Sequence, residues 1–264
     1  MPLRFETPSI GFPFIELQSV DSTNTYLMQM VRESQLPGTR KKVNHGMAVF
    51  AHEQRSGKGR RGKQWQTEKG KNIILSLLIN TSHHYLHDMF PLSACAAVAA
   101  VRFLNKYTEN TFSIKWPNDI YWQQKKAGGI LIENVLRNKA EMPAEWKWAV
   151  TGIGINVNQT SFPKALPNPV SLKQITGKTF DPVLLAKEFC KELDLSYSAL
   201  INGGFEEIHK SYNNLLFKQG EKVKLKENTR VFEATIKSVN RSGQLVVQHA
   251  VEECFDFGKL EWLL

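Results

Sequence analysis

Apolar positions along the chain change period several times, and each change marks an element. After Asp21-Ser22-Thr23-Asn24, residues 25–32 carry Leu27, Met28 and Val31 at helical spacing. This predicts an amphipathic helix with Asp21 or Ser22 as its N-cap. Residues 47–52 read as a strand leading into a glycine-rich loop, and residues 72–80 form a dense apolar run suited to a central strand. A helix is expected over 91–107, with Pro91 near its start and Leu92, Val98, Val101 and Leu104 on its core face. Shorter β-type segments follow at 111–116, 119–122 and 130–135, with Pro117 interrupting the pairing and Gly128-Gly129 opening the third. In 146–158, Gly152 and Gly154 alternate with Ile153 and Ile155, and glycine in a central strand marks a close approach to the backbone. Residues 159–170 hold Pro163, Pro167 and Pro169 and read as a surface loop. Asp181-Pro182 begins a long helix to about Ile201, and another spans roughly 204–216.

The pattern becomes purely β-type near residue 220. Strands are expected at 221–225, 230–239, 244–248, 254–257 and 260–263, with turns at Asn228, 240–243 and Gly258. The expected architecture is α+β, with a larger domain over 1–217 and a small β-barrel over 218–264.

Composition narrows the setting. An apolar fraction of 42% suffices for a sizeable core, and a net charge of +9 points to a polyanionic partner or an anionic ligand without choosing between them. Cys95, Cys190 and Cys254 are far apart and lack metal-ligand spacing, so they read as reduced packing residues of a cytosolic protein. The first residues, Met1 to Glu6, lack a signal-peptide apolar core, and the apolar stretch 92–104 is too short to span a bilayer. A cytoplasmic setting with no membrane association is expected. None of the seven histidines stands in a metal or catalytic pattern, and His83-His84 reads as a solvated loop.

Residues 53–65 hold the densest chemistry. Gly57, Gly59 and Gly62 alternate with Lys58, Arg60, Arg61 and Lys63, and Trp65 closes the segment. The loop satisfies G-x-G-x-x-G, but no apolar helical repeat follows to place a helix N-terminus on a pyrophosphate. It also satisfies G-x-x-x-x-G-K, yet Gln64 stands where a Ser or Thr would hold magnesium. A solvated basic loop or a nucleic-acid patch is the bland alternative.

Four patterns stand in order: Asp21-Ser22-Thr23-Asn24; the loop from Gly57 to Trp65; Lys115-Trp116-Pro117-Asn118-Asp119 followed by residues 126–133; and residues 152–157. Together they resemble the biotin–protein ligases, or biotin–acetyl-CoA-carboxylase ligases, over about residues 15–160, and the terminal segment matches in kind only. The resemblance implies a mixed β-sheet catalytic domain with helices packed on it, like a class II aminoacyl-tRNA synthetase, plus an SH3-like C-terminal barrel. It implies two steps: biotin and ATP give biotinyl-5′-AMP and pyrophosphate, and the biotinyl group then passes to a lysine of a biotin carboxyl carrier protein. Magnesium is expected with ATP, no metal site within the protein is expected, and a homodimer is left open.

The first step joins two anions, and Arg60, Lys58 and Lys126 are the natural cations to screen them. By the resemblance, Ser22, Thr23 and Gln54 hydrogen-bond the ureido head together with backbone near Gly57 and Lys58. Gly129, Gly152 and Ile155 form floor and wall. Arg60 sits at the phosphate–carboxyl junction, Lys126 bridges carboxyl and phosphate, Trp65 stacks on adenine, and Asn118 and Asn156 contact the nucleotide. Asp119 orients or deprotonates the incoming lysine.

Plain structural roles compete with these. Asp119 can simply pair with a cation, Trp116 can be core, Trp65 can be cover for the loop, the strand glycines can relieve crowding, and Glu133 can be a salt-bridge residue. Two departures from the family pattern stand out. Lys58 and Lys63 replace arginines, and a lysine cannot fork onto a phosphate; the segment from Gly258 to Leu264 lacks an arginine. Only about 20 residues precede Ser22, too few for a helix-turn-helix, so a monofunctional ligase without specific DNA binding is expected. The rivals are a lipoate or octanoyl ligase of related fold and a basic nucleic-acid-binding module.

Overall fold

Two β-sheets organise the chain in a computed structural model that describes residues 10–82, 89–109, 111–137 and 145–263. Met1 to Glu6 and His83-His84 lie outside the described residues. The first sheet is built from β1 (Phe14–Leu17), β2 (Ala48–Ala51), β3 (Ile73–Asn80), β4 (Phe112–Lys115), β5 (Asp119–Trp122), β6 (Lys125–Arg137) and β7 (Glu145–Ile155). Its order is β1-β2-β3-β7-β6-β5-β4. Only β1 and β2 pair in parallel, so the sheet is mixed.

Each face of this sheet takes one helix against its centre. Helix α1 (Thr23–Ser34) puts Leu27 and Val31 onto Val49, Leu78 and Val150. Its start lies two residues before the expected one, because the buried Ser22 is the N-cap and its hydroxyl accepts from Thr25 N. On the other face lies α2 (Met89–Leu104), whose first and last turns sit two to three residues upstream of the expected ones. The expectation of one core-facing stripe on α2 was too small. Nearly every residue from Phe90 to Leu104 is buried, because α4 (Pro182–Ile201) and α5 (Phe205–Asn214) cover the side that the sheet does not. The run of alanines in α2 lets these neighbours come close.

Period-two alternation in β7 sorts the two faces. Val150 belongs with α1, whereas Ile153 and Ile155 belong to the core under α2. Two elements escaped the sequence reading. β1 is a four-residue edge strand, and α3 (Leu172–Thr176) is a single turn fixed by a Ser171/Gln174 capping box.

The second sheet is antiparallel. It contains β8 (Lys222–Glu227), β9 (Arg230–Val239), β10 (Leu245–Gln248), β11 (Glu252–Phe255) and β12 (Leu260–Trp262), in the order β11-β10-β9-β8-β12. All five expected strands are present. It is joined to the first sheet through Trp116, which is 3% exposed; its indole donates to Gly243 O at 2.9 Å and its ring lies 5.4 Å from Phe257. Cys95 and Cys190 are buried as expected, but Cys254 is exposed. It alternates on β11 with the inward Phe255, so it is not a packing residue. Among the described residues no helix is long and apolar enough to cross a membrane.

Because nearly all of α2 is enclosed, its buried alanines have no room for larger side chains. Ala100→Leu is expected to cost about 1–3 kcal/mol by overpacking, seen as a lower midpoint in urea unfolding.

Candidate active site

A cavity of about 700 Å³ lies between the glycine-rich loop, the start of α1, β6 and β7, residues 162–169, and residues 258–262 of the second sheet. Six cations line it (Lys58, Arg60, Arg61, Lys63, Lys115, Lys126) against two carboxylates, Asp119 and Glu261. A concave site with that imbalance suits an anion.

The loop enters alongside residues 20–21: Arg55 N donates to Val20 O at 3.0 Å and Ser56 N to Asp21 O at 2.8 Å. It then folds back as a narrow hairpin. Gly59 N donates to Lys63 O at 2.7 Å and Trp65 N to Gly57 O at 2.9 Å, with a single 3₁₀ turn, Arg60–Gly62, at the tip. The next element is a strand, β3, so neither phosphate-binding helix motif is formed.

Trp65 lies down on the sheet where it has no side chain. A Cβ on Gly154 would fall 2.4 Å from the Trp65 ring, and one on Gly57 would fall 2.3 Å from Trp65 O. The buried Trp65 Nε1 has no partner. The loop tip is also tied to the second sheet. Arg61 donates to Gly258 O, and the Arg60 guanidinium sits 5.0 Å from the Phe257 ring centre while donating to Asn118 Oδ1 at 3.3 Å. Burial pulls the Arg60 pKa down and Asp119 opposes it, and the guanidinium stays charged at neutral pH.

One end of the cavity is polar and uncharged. Gln54 Oε1 accepts from Thr23 N at 2.8 Å and lies 3.1 Å from Thr23 Oγ1. Asn24 stands over Gly152, where a Cβ would meet its Oδ1 at 2.3 Å. The other end is cationic. Lys126 Nζ pairs with Asp119 Oδ1 at 2.6 Å beside Gly129, and the Lys126 ammonium lies 5.9 Å from the Trp65 ring. Asn118 donates to Ile130 O at 2.5 Å, and Asn156 donates to Val170 O at 3.1 Å. Lys115 Nζ donates to Tyr121 Oη at 3.3 Å and faces the Tyr121 and Trp262 rings. Burial pushes the Lys115 ammonium down to about 8, with Asp119 pulling the other way.

Twelve of the fourteen expected site residues line this cavity: Ser22, Thr23, Gln54, Lys58, Arg60 and Trp65 from the first half, and Asn118, Asp119, Lys126, Gly129, Gly152 and Asn156 from the second. Two do not. Ile155 points into the core below α2, because it alternates with Gly154, which faces Trp65. Gly57 is buried beneath Trp65 O and shapes the hairpin instead. The glycines at 152 and 154 do serve a close approach, but by the protein's own Asn24 and Trp65. Trp116 is core, and Asp119 is ion-paired.

Sequence reasoning missed Asn24, Ser76 and Lys115, although Asn24 and Lys115 stood inside quoted motifs. It also treated 159–170 only as a surface loop. This segment walls the cavity, held by Lys126 N donating to Asn168 O at 2.8 Å. Among the described residues no group of three or more His, Cys, Asp or Glu is arranged to hold a metal ion.

The chain is similar to several known proteins. Residues 16–144 match the biotin/lipoate A/B protein ligase family. The bifunctional ligase/repressor BirA of Escherichia coli is 30% identical over 179 residues, covering 67% of this chain and 51% of that protein. The biotin–[acetyl-CoA-carboxylase] ligase of Paracoccus denitrificans is 28% identical, covering 88% of this chain and 92% of that one. The structure of the biotin protein ligase from Aquifex aeolicus in complex with biotin and ATP aligns with a TM-score of 0.77 at 26% identity, over 94% of this chain and 97% of that one. The chain thus spans about half the length of the Escherichia coli relative it matches. Residues 16–144 are thus a domain of the biotin/lipoate A/B protein ligase family.

The packing of Trp65 on Gly154 carries a prediction that needs no ligand. Gly154→Ala is expected to lift the loop and to raise the rate of tryptic cleavage at Arg60 and Arg61 several-fold, followed by mass spectrometry. An unchanged cleavage rate would mean that the ring does not hold the loop down.

Proposed function

We propose that the protein is an ATP-dependent biotin–protein ligase. A biotin carboxylate oxygen attacks the α-phosphorus of ATP, pyrophosphate leaves, and biotinyl-5′-AMP forms. The ε-amine of a lysine on a biotin carboxyl carrier domain then attacks the acyl carbon, and AMP leaves. The observation that carries this reading is one cavity with a hydrogen-bonding end at Ser22, Thr23 and Gln54 and a cationic end at Arg60 and Lys126. The first end suits an uncharged ureido ring, and the second suits a carboxylate and a phosphate brought together. No nucleophilic side chain is needed. Juxtaposition itself can supply several kcal/mol of the barrier, about 7–11 at best.

Residue roles follow from position. Arg60 and Lys126 screen the two anions, Trp65 offers its ring and unpartnered N–H beside the nucleotide, and Asn118 and Asn156 flank it. Asp119 holds Lys126 through their ion pair. It becomes free to take the proton of an incoming ammonium once Lys126 has turned to the phosphate. Magnesium would arrive with the triphosphate, whose oxygens supply hard ligands. The chain would divide near residue 217 into a catalytic domain resembling class II aminoacyl-tRNA synthetases and an SH3-like barrel, and would work in the cytoplasm.

The lipoate alternative shares the family. What favours biotin is that the relatives are biotin ligases and that the uncharged end is lined by polar side chains, which can hydrogen-bond a ureido ring but not a dithiolane. A nucleic-acid surface is disfavoured, because the six cations of the glycine-rich loop and its neighbours converge on one concave cavity.

The direct test is mass spectrometry of biotin, ATP and protein, with biotinyl-AMP expected; adenylation of lipoate instead would overturn the reading. In Lys126→Ala, pyrophosphate exchange is expected to fall at least a hundredfold with the circular dichroism unchanged.

The depressed Lys115 gives a pH signature. Its ammonium is charged below about 8 and neutral above, so kcat/KM for ATP should decline as pH rises through that value. Lys115→Arg keeps the charge and should extend the plateau. An identical decline in the arginine variant would exclude Lys115 from binding the phosphates.

A further inference from the structure

Behind Thr23, at the polar end of the cavity, runs a chain of three side chains that no role above uses: Ser76, Asn24 and Glu133. Asn24 Nδ2 donates to Glu133 Oε2 at 2.8 Å and to Leu131 O at 3.3 Å. Two acceptors therefore fix which end of this amide is nitrogen. Its other end, Oδ1, is left facing Ser76 Oγ at 2.6 Å, and Ser76 is fully buried. An amide oxygen only accepts, so the single Ser76 proton must go to Asn24.

The consequence passes to Thr23. Ser76 Oγ also lies 2.7 Å from Thr23 Oγ1, and with its proton already committed it can only accept there. The Thr23 proton thus goes to Ser76 Oγ or to Gln54 Oε1, 3.1 Å away, and in both cases is taken by a protein oxygen. Thr23 N–H donates to Gln54 Oε1, which holds that amide with its oxygen inward. Every hydroxyl proton in the chain is turned toward protein, and Thr23 Oγ1 is left to the cavity as an acceptor.

We propose that Glu133, acting through Asn24 and Ser76, is a positioning residue that fixes Thr23 as an acceptor and so selects a ring bearing N–H donors. This deepens the reading of the site as a biotin site and rests on it. A cyclic urea offers an N–H group to such an acceptor, whereas a dithiolane offers none. Glu133 touches no substrate, and Ser76 lies outside the cavity lining.

The test measures biotin binding by calorimetry without ATP, in parallel with a biotin analogue methylated on a ureido nitrogen. Glu133→Leu removes the nearer of the two acceptors that orient Asn24, and is expected to weaken biotin about fivefold to tenfold, the effect of one lost hydrogen bond. The preference for biotin over the methylated analogue should shrink by a similar factor. KM for ATP and kcat for exchange should stay within about twofold. Glu133→Gln keeps a carbonyl oxygen for Asn24 and should restore most of the affinity. Ser76→Ala leaves Asn24 Oδ1 unpaired and should resemble Glu133→Leu.

The proposal is overturned if Glu133→Leu binds biotin as tightly as wild type. It is equally overturned if both ligands weaken alike, because that is general loosening and not loss of acceptor character. Wild-type protein that binds no biotin would refute the biotin reading itself, an outcome distinguishable from failure of the relay alone.

Discussion

The site depends on a stripe of sheet with no side chains. At Gly152 and Gly154 the β7 backbone is bare on the face that meets α1, and Asn24 and Trp65 occupy the space a Cβ would take. Without that stripe, neither the start of α1 nor the returning arm of the loop could reach the sheet. The neighbouring strands then fix what stands around it: β3 contributes Ser76, β6 contributes Leu131 and Glu133, and all hold Asn24. A rigid central sheet thus locates groups that a loop alone would hold loosely.

The charges are held by a different means. Six cations crowd a partly buried cavity, and their mutual repulsion needs compensation while no anion is bound. Asp119 supplies part of it through Lys126, and aromatic rings supply more. Phe257 lies against Arg60, and Tyr121 and Trp262 lie against Lys115. Two of these rings come from the C-terminal segment. It carries no arginine between Gly258 and Leu264, yet it reaches the site by stacking on cations that the rest of the chain provides. The tie from Arg61 to Gly258 O makes the loop and that segment one wall.

Much of this was legible in the sequence because it is local. Strand and helix positions followed apolar period, the five terminal strands followed turn residues, and all but Gly57 and Ile155 of the expected site residues came together around one cavity. What escaped was set by partners distant in sequence. Burial of nearly all of α2 depends on α4 and α5. β1 exists only because β2 offers it an edge, and its four residues carry no distinct pattern. Ile155 was misplaced by reading a motif as a list. The same alternation that bares Gly154 to Trp65 sends Ile155 to the opposite face, and a period-two count would have found this. Ser76 gave no signal at all: it is one hydroxyl in an apolar strand, and its use appears only when Thr23 and Asn24 are laid beside it.

The replacement of two arginines by Lys58 and Lys63 can be understood from the same geometry. Both side chains are exposed at the flanks of the hairpin, whereas Arg60 and Arg61 at its tip make directed contacts with Asn118 and Gly258. A fork of donors is needed where a planar group must meet fixed oxygens from a set direction. At the flanks, backbone bonds between Gly59 and Lys63 and between Trp65 and Gly57 already hold the hairpin, and a flexible point charge is enough to attract an anion. Lysine suffices where only charge is asked of the position, and arginine serves where orientation is asked as well.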